Sequence, residues 1–155
     1  MASKKTENRD KKVKSMGSKL HCILLVEDNF MTNLFNEKML DNLCVAENIV
    51  TAEDGEEALR YLESSQKNHT YPELILVDIF MPKMSGWMFL EKFSRMNFDR
   101  QKKPAVVVLT HSHEAGNYDH ALSIPGVIGF LNKPLTEGDV MEILNQHFHS
   151  VVAHD

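Results

Sequence analysis

Cysteine is scarce in this chain, with two in 155 residues, as are proline with five and tryptophan with one, and long apolar runs are missing altogether. Cys22 and Cys44 are too few for a disulfide framework and lack metal-ligand spacing, so both are expected to be reduced thiols. No apolar stretch approaches the ~20 residues that span a bilayer. The N-terminus is charged where a secretory signal would be apolar, and a cytoplasmic location is expected. No internal repeat is present. With 43% hydrophobic and 25% charged residues and little glycine or proline, the chain has the profile of one globular domain.

Charge is distributed unevenly. Residues 1–19 hold seven basic residues against Glu7 and Asp10, while the remainder holds ten basic and twenty acidic. The basic, nearly aliphatic-free segment 1–19 reads as a disordered tail, and the acidic body argues against a nucleic-acid surface. The domain itself is expected over 20–149, with a short C-terminal tail at 150–155. No DNA-binding domain is expected beside it.

Hydrophobic pattern orders the body. Short runs rich in Val, Ile and Leu without polar alternation, at 23–26, 74–77 and 105–109, suit strands of a parallel sheet buried on both faces. A weak second strand is expected over Asn48–Ala52 and a fifth over Val127–Leu131. Between them the spacing predicts five helices. Asn29–Leu43 carries a stripe of Phe30, Leu34, Phe35, Met39 and Leu43. The second opens at Asp54-Gly55-Glu56-Glu57 with Ala58, Leu59 and Leu62 inward, and Ser64–Pro72 reads as polar loop. The third, Ser85–Arg95, carries Trp87, Phe89, Leu90 and Phe93. A short, weak one is expected over Glu114–Leu122. Thr136 with Asp139 three residues on caps the last, which buries Val140, Ile143, Leu144, His147 and Phe148. Alternating strands and helices make an α/β fold, a doubly wound five-stranded parallel sheet in a three-layer sandwich with five helices.

Each main apolar run ends in a polar residue: Glu27-Asp28, Asp78, Thr110 and Lys133-Pro134. In an open parallel sheet the carboxyl ends of the strands form the ligand crevice, so these residues converge there. Three acids at one sheet edge raise one another's proton affinity unless a cation sits among them. Without His or Cys at these strand ends, the oxygen set suits Mg²⁺. Asp78 is then placed to attack a phosphoryl group, with Lys133 pairing and Thr110 hydrogen-bonding its oxygens.

The ordered set Glu27-Asp28, Asp78-x-x-Met81-Pro82-x-x-x-Gly86, Thr110 and Lys133-Pro134 resembles the signature of response-regulator receiver domains of two-component systems, of the single-domain, chemotaxis-regulator-like kind. The resemblance implies the flavodoxin-like strand order 2-1-3-4-5. It implies Asp78 as phosphoacceptor, Asp28, Asp78 and the Phe80 carbonyl as Mg²⁺ ligands, and Glu27 acting through a water on the metal. Thr110 and Lys133 would read the phosphoryl group, Phe130 would be the switch aromatic, and the Lys133–Pro134 bond would be cis. The implied donor is a histidine kinase or phosphotransfer protein. The output is a downstream protein met through the face of helix 4, strand 5 and helix 5, and the chain is no enzyme beyond self-phosphorylation and self-dephosphorylation.

His111 stands where the family usually has a small residue, and Phe80 and Ser112 occupy positions that tune the lifetime of the acyl phosphate. Taken singly, each site residue has a plainer reading: Glu27 and Asp28 as helix-capping acids, Asp78 as a loop acid, Lys133 as a solvated charge. Their joint placement at successive strand ends favours the phosphoryl site. A phosphorylation-independent scaffold of the same shape is the main alternative. An aspartate-nucleophile phosphatase of the haloacid dehalogenase kind needs a second acid where Phe80 stands, and a flavodoxin-like carrier needs a Ser, Thr and Gly loop where Glu27-Asp28-Asn29 stands. The pairs His111/His113 and His147/His149 lack a third ligand for a metal.

Overall fold

The computed structural model describes residues 19–68, 70–99, 102–111 and 115–148, so the expected tails apart from Lys19, and Ser112, His113, Glu114 and His149, lie outside the described residues. The strands are β1 Leu20–Val26, β2 Ala46–Ala52, β3 Leu74–Asp78, β4 Ala105–Thr110 and β5 Val127–Asn132. Between and after them come α1 Phe30–Leu43, α2 Gly55–Asn68, α3 Gly86–Ser94, α4 Ala115–Ser123 and α5 Glu137–His147. The sheet runs β2-β1-β3-β4-β5 with every neighbouring pair parallel, the order that the family resemblance implies.

Successive side chains of a strand point to opposite faces, and that alternation divides the interior. Ile23, Leu25, Leu74, Leu76, Val107 and Leu109 meet Leu40 and Leu43 of α1 and Val140, Ile143 and Leu144 of α5. Leu24, Val26, Ile75, Val77, Val106 and Val108 meet Ala58 and Leu62 of α2, Phe89, Leu90 and Phe93 of α3, and Ala121 of α4. A central strand covered on both sides has no polar face, which is why β1, β3 and β4 read as unbroken apolar runs. Phe89 and Phe93 are fully buried, each contributing ~1.5–3 kcal/mol by leaving water. Cys22 and Cys44 are unpaired. Burial pushes the Cys22 thiol above its ordinary range, against a contact with the Tyr61 hydroxyl at 3.6 Å.

Several expectations need correction. On α1 the inward positions are Asn33, Asn36, Leu40 and Leu43, whereas Phe30 and Phe35 are each 70% exposed. The apolar residues of this helix are divided between core and solvent, so their spacing misplaces the buried stripe. β2 starts at Ala46, which pairs with Leu20, rather than at Asn48. Its polar residues are tolerated because it is an edge strand, where Asn48 donates to the His21 carbonyl and Glu47 contacts the His21 ring. α2 continues through Asn68, and buried Ser65 stays helical by donating its hydroxyl to the Leu62 carbonyl. His147 lies at the exposed end of α5 rather than on its buried face. Thr136 caps α5 as expected, its hydroxyl accepting from the Asp139 N–H while the Asp139 carboxylate accepts from the Thr136 N–H.

Candidate functional site

Strand register delivers the site. Val26 pairs with Val77, which sets Glu27 level with Asp78 across the β1–β3 boundary. This is where the strand order reverses, with β2 on one side of β1 and β3 on the other, and such a reversal opens a crevice at the carboxyl ends. Asp78 in turn pairs with Leu109, one residue before Thr110, and Thr110 pairs with Asn132, one residue before Lys133.

The turn after β1 is held from three sides. Asn29 caps α1, its side-chain oxygen accepting from the Thr32 N–H at 3.0 Å. The Asn29 N–H donates to the Glu27 carboxylate at 3.2 Å, and the Asn33 amide donates to the Glu27 carbonyl at 2.7 Å. Glu27 is consequently buried while Asp28 is exposed.

Asp78 is buried at the end of β3. Its Oδ1 accepts from the Phe80 N–H at 3.1 Å and its Oδ2 accepts from Lys133 Nζ at 3.0 Å. Gly86 makes that turn possible. Its N–H donates to the Ile79 carbonyl at 2.8 Å, and a Cβ there would stand 2.4 Å from the Asp78 carbonyl oxygen. Ser85 caps α3 by accepting from the Met88 N–H, and Lys83 takes up the left-handed region at φ 64 to turn the loop.

Lys133 spans the crevice, pairing with Glu27 as well as Asp78, with its side chain 7% exposed. Its N–H donates to the Thr110 carbonyl at 2.8 Å, and the Lys133–Pro134 bond is cis. Thr110 is wholly buried. Phe130 is half-buried, edge-on to Tyr118 of α4 at 5.7 Å between ring centres. Phe80, 61% exposed, stands in solvent, and His111 is exposed.

Burial pushes the Glu27 carboxyl up, and the negative charge of Asp78 adds to this against the pull of Lys133. Burial alone would depress the Lys133 ammonium, but its hydrogen bonds to Glu27 and Asp78 win and hold it above its ordinary value. Lys133 thus pairs with two of three neighbouring acids. Glu27, Asp28 and Asp78 each offer an oxygen within 4.8 Å of the others, the arrangement and donor chemistry that suit a small hard divalent cation. Beside this lies a groove of about 410 Å³ whose walls include Met31, Phe35, Met39, Leu109, His111 and Lys133. The sequence reading missed Asn33 and Asn36, the buried asparagines of α1; three asparagines within the eight residues from position 29 were the available signal.

Comparison with known proteins bears on this arrangement. A family model described as the response regulator receiver domain matches residues 23–145. The transcriptional regulatory protein CitT of Halalkalibacterium halodurans is 30% identical over 139 residues, which cover 87% of this chain and 54% of that protein. The osmosensing histidine protein kinase SLN1 of Saccharomyces cerevisiae is 34% identical over 125 residues, covering 80% of this chain and 10% of the kinase. The chain thus spans about half of the first relative and a tenth of the second. Among solved structures, the bacteriophytochrome response regulator AtBRR matches with a TM-score of 0.69 at 29% identity, covering 89% of this chain and 98% of that one. A two component response regulator from Cytophaga hutchinsonii reaches a TM-score of 0.77 at 24% identity, covering 83% and 97%, a likeness of fold.

Proposed function

The chain belongs to the response regulator receiver family, and on that footing we propose that Asp78 accepts a phosphoryl group from the phosphohistidine of a histidine kinase or phosphotransfer protein and thereby switches the binding of a downstream protein. The observation that carries this is Lys133, which crosses from the end of β5 to bond Asp78 and Glu27 at the crevice between β1 and β3. Isolated surface charges do not bury themselves in this way.

A carboxylate oxygen of Asp78 attacks phosphorus, and the P–N bond to the donor imidazole breaks with its electron pair returning to the ring. No proton leaves Asp78, so no general base is required. Asp28, Asp78 and the Phe80 carbonyl would hold Mg²⁺, with Glu27 bearing on it less directly, and a bound ion would supply neutralisation of charge on the transferring oxygens. The Lys133 ammonium then exchanges part of its carboxylate pairing for a phosphoryl oxygen, and the Thr110 hydroxyl donates to another. Adding about two negative charges to this crevice biases the end of β4 at Thr110 and Phe130. Because Phe130 touches Tyr118, movement there reaches the exposed Tyr118 and Leu122 of α4, on the α4-β5-α5 output face.

The donor side is the apolar groove beside α1, bordered by exposed Met31 and Phe35 and sharing Lys133 with the crevice. A donor helix laid along it brings its phosphohistidine to Asp78. The chain works as a switch in the cytoplasm, with at most self-phosphorylation and self-dephosphorylation as activity. Its complete set of acids, hydroxyl and lysine disfavours a scaffold indifferent to phosphate, and Phe80 in place of a second acid disfavours a phosphatase.

Intact-mass measurement after incubation with acetyl phosphate and Mg²⁺ tests the proposal. The native chain should gain one phosphoryl group and Asp78→Asn none. An equal gain in both removes Asp78 from its role.

A further inference from the structure

Asn33 occupies a place on α1 that packing alone would give to an aliphatic residue. It is 6% exposed and shares the inward face with Leu40 and Leu43. Its Nδ2 donates to the Glu27 carbonyl at 2.7 Å, while its Oδ1 is buried with no hydrogen-bond partner among the described residues. A buried amide oxygen left unpaired destabilises a fold by about 1–3 kcal/mol. A residue that weakens the core in this way while bonding the backbone of the acid pair calls for a functional account.

We propose that Asn33 is a positioning residue for the cation site, an inference that rests on the receiver reading above. Its bond fixes the peptide between Glu27 and Asp28. That peptide sets where both side chains start, and it joins β1 to the turn capped by Asn29. Glu27 has a second anchor, since its carboxylate accepts from the Asn29 N–H. Asp28 is exposed, so the direction of its carboxylate depends chiefly on the backbone beneath it. With the carbonyl released, the peptide plane turns, and the three acid oxygens lose the spacing of 4.8 Å or less at which they face one another. Groups that orient metal ligands without touching the ion are typically worth about 10–100-fold in affinity.

The test is Mg²⁺ titrated calorimetrically into the whole chain as wild type, Asn33→Leu and Asn33→Ala. Both variants should bind Mg²⁺ roughly tenfold more weakly or worse. Metal-free Asn33→Leu should stay folded, because loss of the unpaired oxygen offsets part of the lost bond to the Glu27 carbonyl. Phosphorylation by acetyl phosphate should return to the wild-type level once Mg²⁺ is raised to compensate, with only its midpoint in Mg²⁺ displaced. A purely structural asparagine would instead leave the metal midpoint in place, whatever happens to the melting temperature of the variants. Asn33→Ala keeps a strong helix former at the position and supplies the affinity measurement should the leucine variant not fold. Unchanged Mg²⁺ affinity in a folded variant, beside a wild type that binds, overturns the role of Asn33 alone. A wild type that binds no Mg²⁺ overturns the receiver reading and this inference together.

Discussion

At Gly86 a single hydrogen decides whether Asp78 is presented. A Cβ there would stand 2.4 Å from the Asp78 carbonyl oxygen and 2.6 Å from Ile79 Cα, both backbone atoms that cannot swing aside. Gly86→Ala should therefore cost about 1–3 kcal/mol, the ordinary range for overpacking, and move the β3 end enough to lower phosphoryl acceptance in the surviving folded protein. Gly138→Ala is the control. Its Cβ would meet nothing nearer than Thr136 Oγ1 at 3.8 Å, and alanine suits a helix better than glycine, so stability should hold or rise. Urea denaturation of the two variants separates them, and equal midpoints would remove the close approach as the reason for glycine. At this scale the sequence was partly readable. Asp78, Lys133 and Thr110 stood out because each ends an apolar run, and Gly86 because it closes a breaker-rich loop. That a methyl group at 86 would strike the backbone of the phosphoacceptor candidate depends on a turn in space that no spacing encodes.

Among the helices, α5 and α1 mark opposite limits of what pattern can tell. α5 was readable from its ends because Thr136 and Asp139 satisfy each other's backbone N–H groups, an arrangement local in sequence and independent of what the helix packs against. Thr136→Ala should cost about 1 kcal/mol, measured as a shift in urea midpoint. Since Leu135 and Thr136 follow directly on Pro134, the same variant should also loosen the Lys133 segment and modestly slow phosphorylation. A midpoint identical to wild type would show that the cap contributes nothing here. α1 was misread over its first half, at Phe30 and Phe35, while Leu43 is buried as expected. Its outward phenylalanines and inward asparagines invert the usual division, because one face borders the proposed donor groove and the other carries the support for Glu27. Hydrophobic periodicity locates a buried face only where burial is the main demand on each residue. The end of α2 was missed for a smaller reason, since Ser65 meets its own hydrogen-bonding need inside the helix.

In the whole molecule, three central strands, each covered on both faces, announced the fold, while the half-exposed edge strand β2 gave only a weak signal. The site was readable because parallel topology gathers strand ends that lie far apart in sequence, such as Glu27 and Lys133. The same gathering concentrates acidic charge at one rim. Lys133 is shared by Glu27 and Asp78, and Asp28 adds a third carboxylate within 4.8 Å of them, so the metal-free fold carries repulsion that a bound cation would remove. Mg²⁺ should consequently stabilise the wild type by about 2.7 kcal/mol at a concentration 100 times its dissociation constant. Asp28→Asn separates repulsion from binding, because Asp28 is exposed and its replacement leaves the core intact. That variant should melt above wild type without metal and gain little from Mg²⁺. Thermal melts of both proteins in EDTA and in Mg²⁺ make the comparison. If Mg²⁺ raises both by the same amount, the ion binds elsewhere on the acidic body, and the crevice is held together by Lys133 alone.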